Sequence, residues 1–326
     1  MQIGKLEISF GSGPTKKQDA VVIIKALEEH PWEMIAIAGS LREKKFGNKV
    51  DPCSIINARS GNCQEDCAFC AQSAHHSTNA TVYPLLDADT VVGSARRAFD
   101  HGVRRFCVVT SGRGIDTGRD LSIIAGCITR IRDLGMLPCA TLGHLTRDQL
   151  QSLKDAGLYR YHHNVETSRR FFPNICTTHD YDERLATLAD ARAVGLSTCS
   201  CGIMGMGETM ADRADMAFDL WDAGVDSLPV NFLMPITGTP LEDANFMTPL
   251  EALKTIALFR FIMPETEIRV CGGRIGALRD LHPMIFAAGA NGLMMGDYLT
   301  KAGRSFYDDE RMLADLGLKL PGNKNI

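Results

Sequence analysis

From residue 50 onward, short apolar runs alternate with longer stretches of amphipathic spacing. The runs at 50–57, 103–110, 136–142, 158–164, 196–204, 227–233, 267–271 and 292–295 have the length and β-branched content of strands. Between most of them lie segments such as ADTVVGSARRAFDHG, DLSIIAGCITRIRDLG, TRDQLQSLKDAG and ERLATLADARAVG, whose apolar residues recur at helical spacing. Gly102, Gly135, Gly157, Gly195 and Gly224 stand where helix C-caps are expected. Strands that alternate with helices predict a parallel sheet with right-handed crossovers, and eight such units are the repertoire of a (β/α)8 TIM-type barrel of roughly 250 residues. The competing doubly wound sheet would carry a GxGxxG after an early strand, and this chain has none there. Residues 1–45, with DAVVIIKALEEH and PWEMIAIAGSLREKKFG, read as a helical N-terminal extension, which leaves 46–326 as the barrel with a C-terminal tail.

Composition narrows the classes of function. The 326 residues are 45% apolar and 23% charged, ordinary for a globular chain, and carry 35 Lys+Arg against 39 Asp+Glu for a net charge of −4. That balance argues against a partner held through nucleic-acid phosphates. No run approaches the ~18 apolar residues of a membrane span, and MQIGKLEISFGSG has no apolar signal core, so a soluble cytoplasmic protein is expected. The eleven cysteines are then the informative number. In a large chain without a signal peptide, an odd set of cysteines points to metal ligation before disulfides. Cys53, Cys127 and Cys176 stand apart from any metal-like spacing and read as small buried hydrophobes.

After the first strand comes SGNCQEDCAFCAQS, a C-x3-C-x2-C spacing at Cys63, Cys67 and Cys70. Three thiolates on one loop can each hold one iron of a 4Fe–4S cubane and leave the fourth iron open to a chelating substrate. A zinc knuckle completed by His75 or His76 is the simpler alternative.

The spacing, with Phe69 before the last cysteine, resembles the radical S-adenosylmethionine (SAM) enzymes, and its continuation CAQS resembles the biotin synthase branch. The resemblance implies that SAM binds the open iron and that one electron cleaves it to a 5′-deoxyadenosyl radical. It runs from about residue 49 to residue 317. YHHNVETS is similar to a strand-four signature in which Asn164 and Glu166 contact the SAM ribose and His162 and Asn164 face the substrate. NICTTHDYDERL places Arg184 as partner of the SAM carboxylate, for which its planar fork is suited. TSGRG puts Thr110 and Ser111 where the SAM amino group is bound, and PVNFLMPITGTPL makes Asn231 a substrate contact. Glu208, in GMGET, is expected to be structural.

By the same resemblance Cys107, Cys139, Cys199 and Arg269, on four different strands, would hold an auxiliary 2Fe–2S cluster that supplies sulfur. This chain adds Cys201 and Cys271. Strand side chains alternate faces, so Cys201 is expected to share the face of Cys199, and Cys271 that of Arg269. The surplus of thiols points to a four-iron auxiliary cluster in which Cys271 or Cys201 replaces Arg269. His162 stands where the family pattern has asparagine. The implied activity is that of a sulfurtransferase, converting dethiobiotin to biotin, with a flavodoxin or ferredoxin as electron donor and a homodimeric assembly. The alternatives are a maturase or mutase of the same branch, and a non-catalytic zinc- or cluster-binding protein.

Overall fold

The computed structural model describes residues 15–321 together with the backbone of a two-residue antiparallel pairing, Gln2–Ile3 with Leu6–Glu7. The rest of the MQIGKLEISFGSG segment and of the tail beyond 321 lies outside the described residues.

Eight parallel strands close into a barrel: β1 (Asp51–Arg59), β2 (Arg105–Thr110), β3 (Leu137–Thr141), β4 (Arg160–His162), β5 (Ser197–Cys199), β6 (Ser227–Phe232), β7 (Glu267–Val270) and β8 (Gly292–Met294). Neighbours pair in sequence order, and β8 returns to β1 through Leu293 beside Pro52 and Met294 beside Cys53, so no sheet edge remains between first and last strands. Each strand lies inside the segment its apolar run predicted or within two residues of it, and the five C-cap glycines all have positive φ.

The helices that precede the barrel are α1 (Ala20–Glu29) and α2 (Pro31–Phe46). Next come α3 (Ala88–Asp100), α4 (Gly118–Asp133), α5 (Arg147–Asp155), α6 (Tyr181–Ala193), α7 (Met210–Asp222) and α8 (Pro249–Ile262). The short α9 (Arg274–Leu278) and α10 (Met284–Ala287) follow, and α11 (Phe306–Asp315) closes the chain. Their starts are chemically marked. Asp87, Thr117, Thr146, Asp180, Thr209, Thr248 and Ser305 each accept a backbone N–H of the first helical turn. Helix α8 (PLEALKTIALFRFI) is apolar on nearly every side, because α1 and α2 cover the face that barrel helices normally show to water. The extension therefore shares one core with the barrel, from Ile23 and Met34 to Leu253 and Phe259.

One strand departs from its expected form. The run 196–204 breaks into Ser197–Cys199 and a two-residue piece at Ile203–Met204. Between them the chain turns toward the end of β4: Cys201 O accepts from the N–H groups of both Val165 and Glu166, and Glu166 O accepts from Ile203 N. A two-residue side-chain period needs an unbroken strand, so Cys199 and Cys201 do not share a face.

Candidate active site

The C-terminal ends of the strands open into a cavity of about 400 Å³. Cys63, Cys67 and Cys70 line it from the loop after β1, and Cys107, Cys139, Cys199 and Cys271 line it from β2, β3, β5 and the end of β7. Two cysteine sets remote in sequence thus share one chamber.

The loop is held by its own backbone, with Cys63 N–H bonded to Gln72 O at 2.9 Å, Ala74 N–H to Cys63 O at 2.7 Å and Cys70 N–H to Cys67 O at 2.9 Å. The Sγ atoms of its three cysteines do not all lie within 4.8 Å of one another. That is too open for ligands of a single ion and fits thiolates that serve separate irons. His75 and His76 bond to the carbonyls of Gln64 and Cys67, and neither forms, with two of the loop cysteines, a set of three ligand atoms within 4.8 Å of one another.

The predicted SAM residues gather between the two sets. Arg184 donates to Asn164 O at 2.7 Å and to Glu166 Oε1 at 3.4 Å, with a further nitrogen 4.0 Å from Cys67 Sγ. Burial raises the Glu166 carboxyl above its ordinary value despite Arg184. Glu166 also holds φ at 69°, a left-handed conformation that a non-glycine residue adopts at a cost. Thr110 Oγ1 is buried without a partner, an orphan that a ligand amine would satisfy. The Ser111 hydroxyl is committed to Gly61 O at 2.7 Å. Phe69 is half-buried against Cys67's core cluster and lines the cavity wall.

Toward the barrel floor His162 joins Thr141 at 2.9 Å and Asn164 at 2.7 Å, and Thr141 meets Cys107 Sγ at 3.4 Å. Burial lowers the His162 ring to about 4, so it is neutral at physiological pH. Asn231 lines the cavity with its amide already spent on backbone, accepting from Gly272 N at 2.9 Å and donating to Pro229 O at 2.9 Å. Glu208 lies away from the cavity, bonded to Gly205 N, Met206 N and Arg213.

Three guanidiniums form the floor. Arg105, Arg160 and Arg269 meet the carboxylates of Asp51 and Glu267, which leaves an excess of positive charge beside the thiols. Arg269 is almost consumed by this network: it pairs with Asp51 and Glu267 and donates to Ser227 Oγ at 2.8 Å. Burial would raise the Asp51 carboxyl, but Arg269 and Arg105 hold it below its ordinary value. Burial pushes Cys139 up to about 11 against the pull of Arg160 and Arg105. Arg105 Nη1 is buried without a partner, so one donor of the floor is free for an anionic group. Anionic sulfide clusters fit such a site, with thiolates to ligate them and guanidiniums to balance them.

Three readings of the cysteines need correction: Cys201 as a ligand beside Cys199, and Cys53 and Cys176 as isolated hydrophobes. Cys201 is absent from the cavity lining; it is fully buried in the main apolar core, because the strand breaks before it. Cys53 is not a bystander. It lines the cavity at the start of β1 and interacts directly with Cys271, which pulls Cys53 below and pushes Cys271 above the ordinary thiol range. Alternation along β1 places Cys53 and Ile55 in the lining together, a signal legible in the strand's period. Cys176 is not isolated either, with its sulfur 3.8 Å from Cys67 Sγ. Cys127 keeps its apolar role on α4, within the core.

Residues 58–220 match the Radical SAM superfamily, and residues 229–319 match the Biotin and Thiamin Synthesis associated domain. The chain is 52% identical over 286 residues to the biotin synthase of Trichlorobacter lovleyi, covering 87% of this chain and 86% of that one. It is 49% identical over 308 residues to the biotin synthase of Geobacter sulfurreducens, covering 94% of each. The chain belongs to the biotin synthase family. Membership makes it a radical SAM enzyme of the sulfurtransferase class, with a 4Fe–4S cluster and SAM as cofactors. Among solved structures, methylornithine synthase superposes with a TM-score of 0.81 at 18% identity over 95% of this chain and 94% of that one. The FeFe-hydrogenase maturase of Carboxydothermus hydrogenoformans does so at 0.76 and 15%, over 93% and 79%. At these identities both likenesses speak for the barrel alone. Among the described residues no helix is long and apolar enough to cross a membrane.

Proposed function

We propose that this chain converts dethiobiotin to biotin, with SAM cleaved at the Cys63–Cys67–Cys70 loop and sulfur delivered from the barrel floor. The observation that supports this most is the shared cavity: both cysteine sets line one chamber, so a substrate held between them would face both cofactors. Dethiobiotin presents unactivated C–H bonds that no side-chain acid or base removes at useful rates, and the cofactors, when bound, supply the radical and the sulfide.

The chain's own residues bind, orient and exclude water. Cys63, Cys67 and Cys70 would hold the 4Fe–4S cluster, with Phe69 walling it from solvent. Arg184 would take the SAM carboxylate, Thr110 its amine, beside Ser111, and Asn164 with Glu166 the ribose. His162, neutral and with both ring nitrogens bonded to Thr141 and Asn164, would face the substrate as an uncharged ring held in place. Asn231 would hold the mouth of β6 against the substrate chain.

The auxiliary cluster in this proposal is of the four-iron type, held by Cys107, Cys139, Cys199 and Cys271 with Cys53 beside it. The engagement of Arg269 with Asp51, Glu267 and Ser227 supports thiolates as the ligands and Arg269 as a charge-balancing neighbour. A flavodoxin- or ferredoxin-class electron donor, a cytoplasmic setting and a homodimeric assembly complete the reading.

The test is an anaerobic single turnover of reconstituted protein with SAM, a strong reductant and dethiobiotin, read by mass spectrometry. Biotin accompanied by two equivalents of 5′-deoxyadenosine is expected. Deoxyadenosine without sulfur insertion would overturn the substrate. Mössbauer spectra of the Cys63→Ala variant read the second cluster alone, and a purely 2Fe–2S signal would overturn the four-iron assignment.

A further inference from the structure

Outside the three-cysteine loop, the segment between β4 and α6 also reaches the cavity, and it brings its own ligands. Cys176 Sγ lies 3.8 Å from Cys67 Sγ, 3.3 Å from His179 Nδ1 and 3.8 Å from His179 Nε2. The ligand atoms of Cys67, Cys176 and His179 all fall within 4.8 Å of one another, and among the described residues no other set of three His, Cys, Asp or Glu does so. In a tetrahedral zinc site, Zn–S bonds of about 2.3 Å and Zn–N bonds of about 2.0 Å put two sulfurs roughly 3.8 Å apart and a sulfur and a nitrogen roughly 3.5 Å apart. The spacing here is that of ligands around one ion.

The surroundings suit an ion as well. His179 Nδ1 meets Glu65 Oε2 at 2.6 Å, while its Nε2 accepts from Arg184 Nε at 2.8 Å. The proton therefore sits on Nδ1 and donates to Glu65, and an ion at Nε2, in the carboxylate–histidine–metal order common to such sites, takes the lone pair from Arg184, whose guanidinium turns aside. Asp66 Oδ1 accepts from Cys176 Sγ at 3.1 Å and from Thr177 N–H at 2.9 Å, so it stands beside the three ligands and leaves the fourth position of an ion to water. Cys176 itself is buried.

We infer that the cluster-free chain holds one zinc-class divalent cation through Cys67, Cys176 and His179 Nε2, with water as the fourth ligand. Both cysteines bind as thiolates and release their protons to solvent. The site borrows Cys67, so, resting on the reading of Cys67 as a cluster ligand, occupation by such a cation and assembly of the 4Fe–4S cluster exclude one another.

Cobalt(II) is the probe, added anaerobically to reduced, cluster-free protein. The starting variant is Cys63→Ala with Cys70→Ala, which removes the rest of the loop set and leaves the proposed ligands. Tetrahedral visible bands with thiolate-to-cobalt charge transfer are expected, and adding Cys176→Ser or His179→Gln should weaken the site at least about tenfold. Cys127→Ala, in the core of α4, should leave it unchanged. If neither the Cys176 nor the His179 change alters the number or affinity of bound cobalt, in variants whose circular dichroism matches the parent, the inference is wrong. A second arm reconstitutes the wild-type 4Fe–4S cluster and repeats the titration. Loss of the Cys176-dependent cobalt shows the exclusion. Its persistence would leave the cation site standing and overturn the placement of the cluster on Cys67.

Discussion

The Nε2–H of His162 donates to Asn164 Oδ1 at 2.7 Å, and this one bond sets the proton positions along the polar strip between the two cysteine sets. Asn164 Oδ1 also accepts the backbone N–H of Cys201 at 3.2 Å, so the amide orientation is fixed by a donor that cannot reverse. His162 Nδ1 must then be the acceptor, Thr141 its donor, and Cys107 the donor to Thr141. A linear order of donors runs from Cys107 to the Asn164 amide, which itself donates to Glu166 at 3.4 Å.

A pH dependence follows from the same ring. Burial lowers His162 to about 4 from an ordinary 6.5, so the fold prefers the neutral ring while the unfolded chain takes up a proton below 6.5. The penalty is absent above pH 6.5, grows as pH falls and is complete near pH 4. At ~1.4 kcal/mol per unit, discounted because the cavity admits water, it amounts to about 1–2 kcal/mol. Denaturation of cluster-free protein at pH 7.5 and pH 5 checks this. His162→Asn should lose less stability between the two than wild type, and equal losses would count against it.

Glu166 is predicted to cost the fold what it contributes to SAM. Its φ of 69° stores strain, and burial raises its carboxyl, so at neutral pH the charged form destabilises the folded chain. Asn tolerates the left-handed conformation and carries no charge. Glu166→Asn should therefore raise the stability of the cluster-free protein by about 1 kcal/mol while it weakens SAM binding tenfold or more. Calorimetric titration of SAM into reconstituted protein and melting of the apo form read the two effects separately. A variant both less stable and unchanged toward SAM would refute the trade.

The barrel was legible because its signals are local. A period of two residues marks a strand, a period of 3.6 marks a helix, and the glycine that ends each helix is set by backbone geometry. The β5 region escaped that logic, since the break after Cys199 is imposed by Val165 and Glu166 claiming the carbonyl of Cys201 from 35 residues earlier in the chain. That tertiary bond removed Cys201 from the cavity. Cys53 was readable, as the alternation of β1 carries it inward with Ile55. Cys176 was not readable from spacing, because its meeting with Cys67 joins loops 109 residues apart, and no local pattern encodes it.

Arg269 is predicted to matter more to the fold than as a ligand. Replacing it by Met leaves Asp51 with Arg105 alone and removes a partner of Glu267 in a buried network. Loss of one partner from a buried pair costs about 3–5 kcal/mol. Arg269→Met should lower stability by that order, and Arg269→Lys should recover part of it. Iron and sulfide analysis of the soluble fraction should show the auxiliary cluster retained in Arg269→Lys. If that variant is stable but lacks auxiliary iron, the guanidinium is a ligand after all.

The Arg274–Asp309 pair sets how firmly the C-terminal helix closes the barrel. Both side chains are fully buried, Arg274 also donates to Met294 O at 3.2 Å at the end of β8, and Arg304 donates to the second Asp309 oxygen at 3.0 Å. Asp309→Asn removes the charge that two guanidiniums share, and a loss of about 3–5 kcal/mol is expected. The pair is nonetheless poorly compensated, because Arg274 Nε and Nη1 are buried without partners. Replacing both residues by apolar ones, Arg274→Met with Asp309→Leu, should therefore recover most of the single-variant loss. Urea unfolding of Arg274→Met, Asp309→Leu and the double variant closes the cycle. A double variant no better than the worse single one would mean that the ion pair, and not merely the filling of the space, holds α11 against β8.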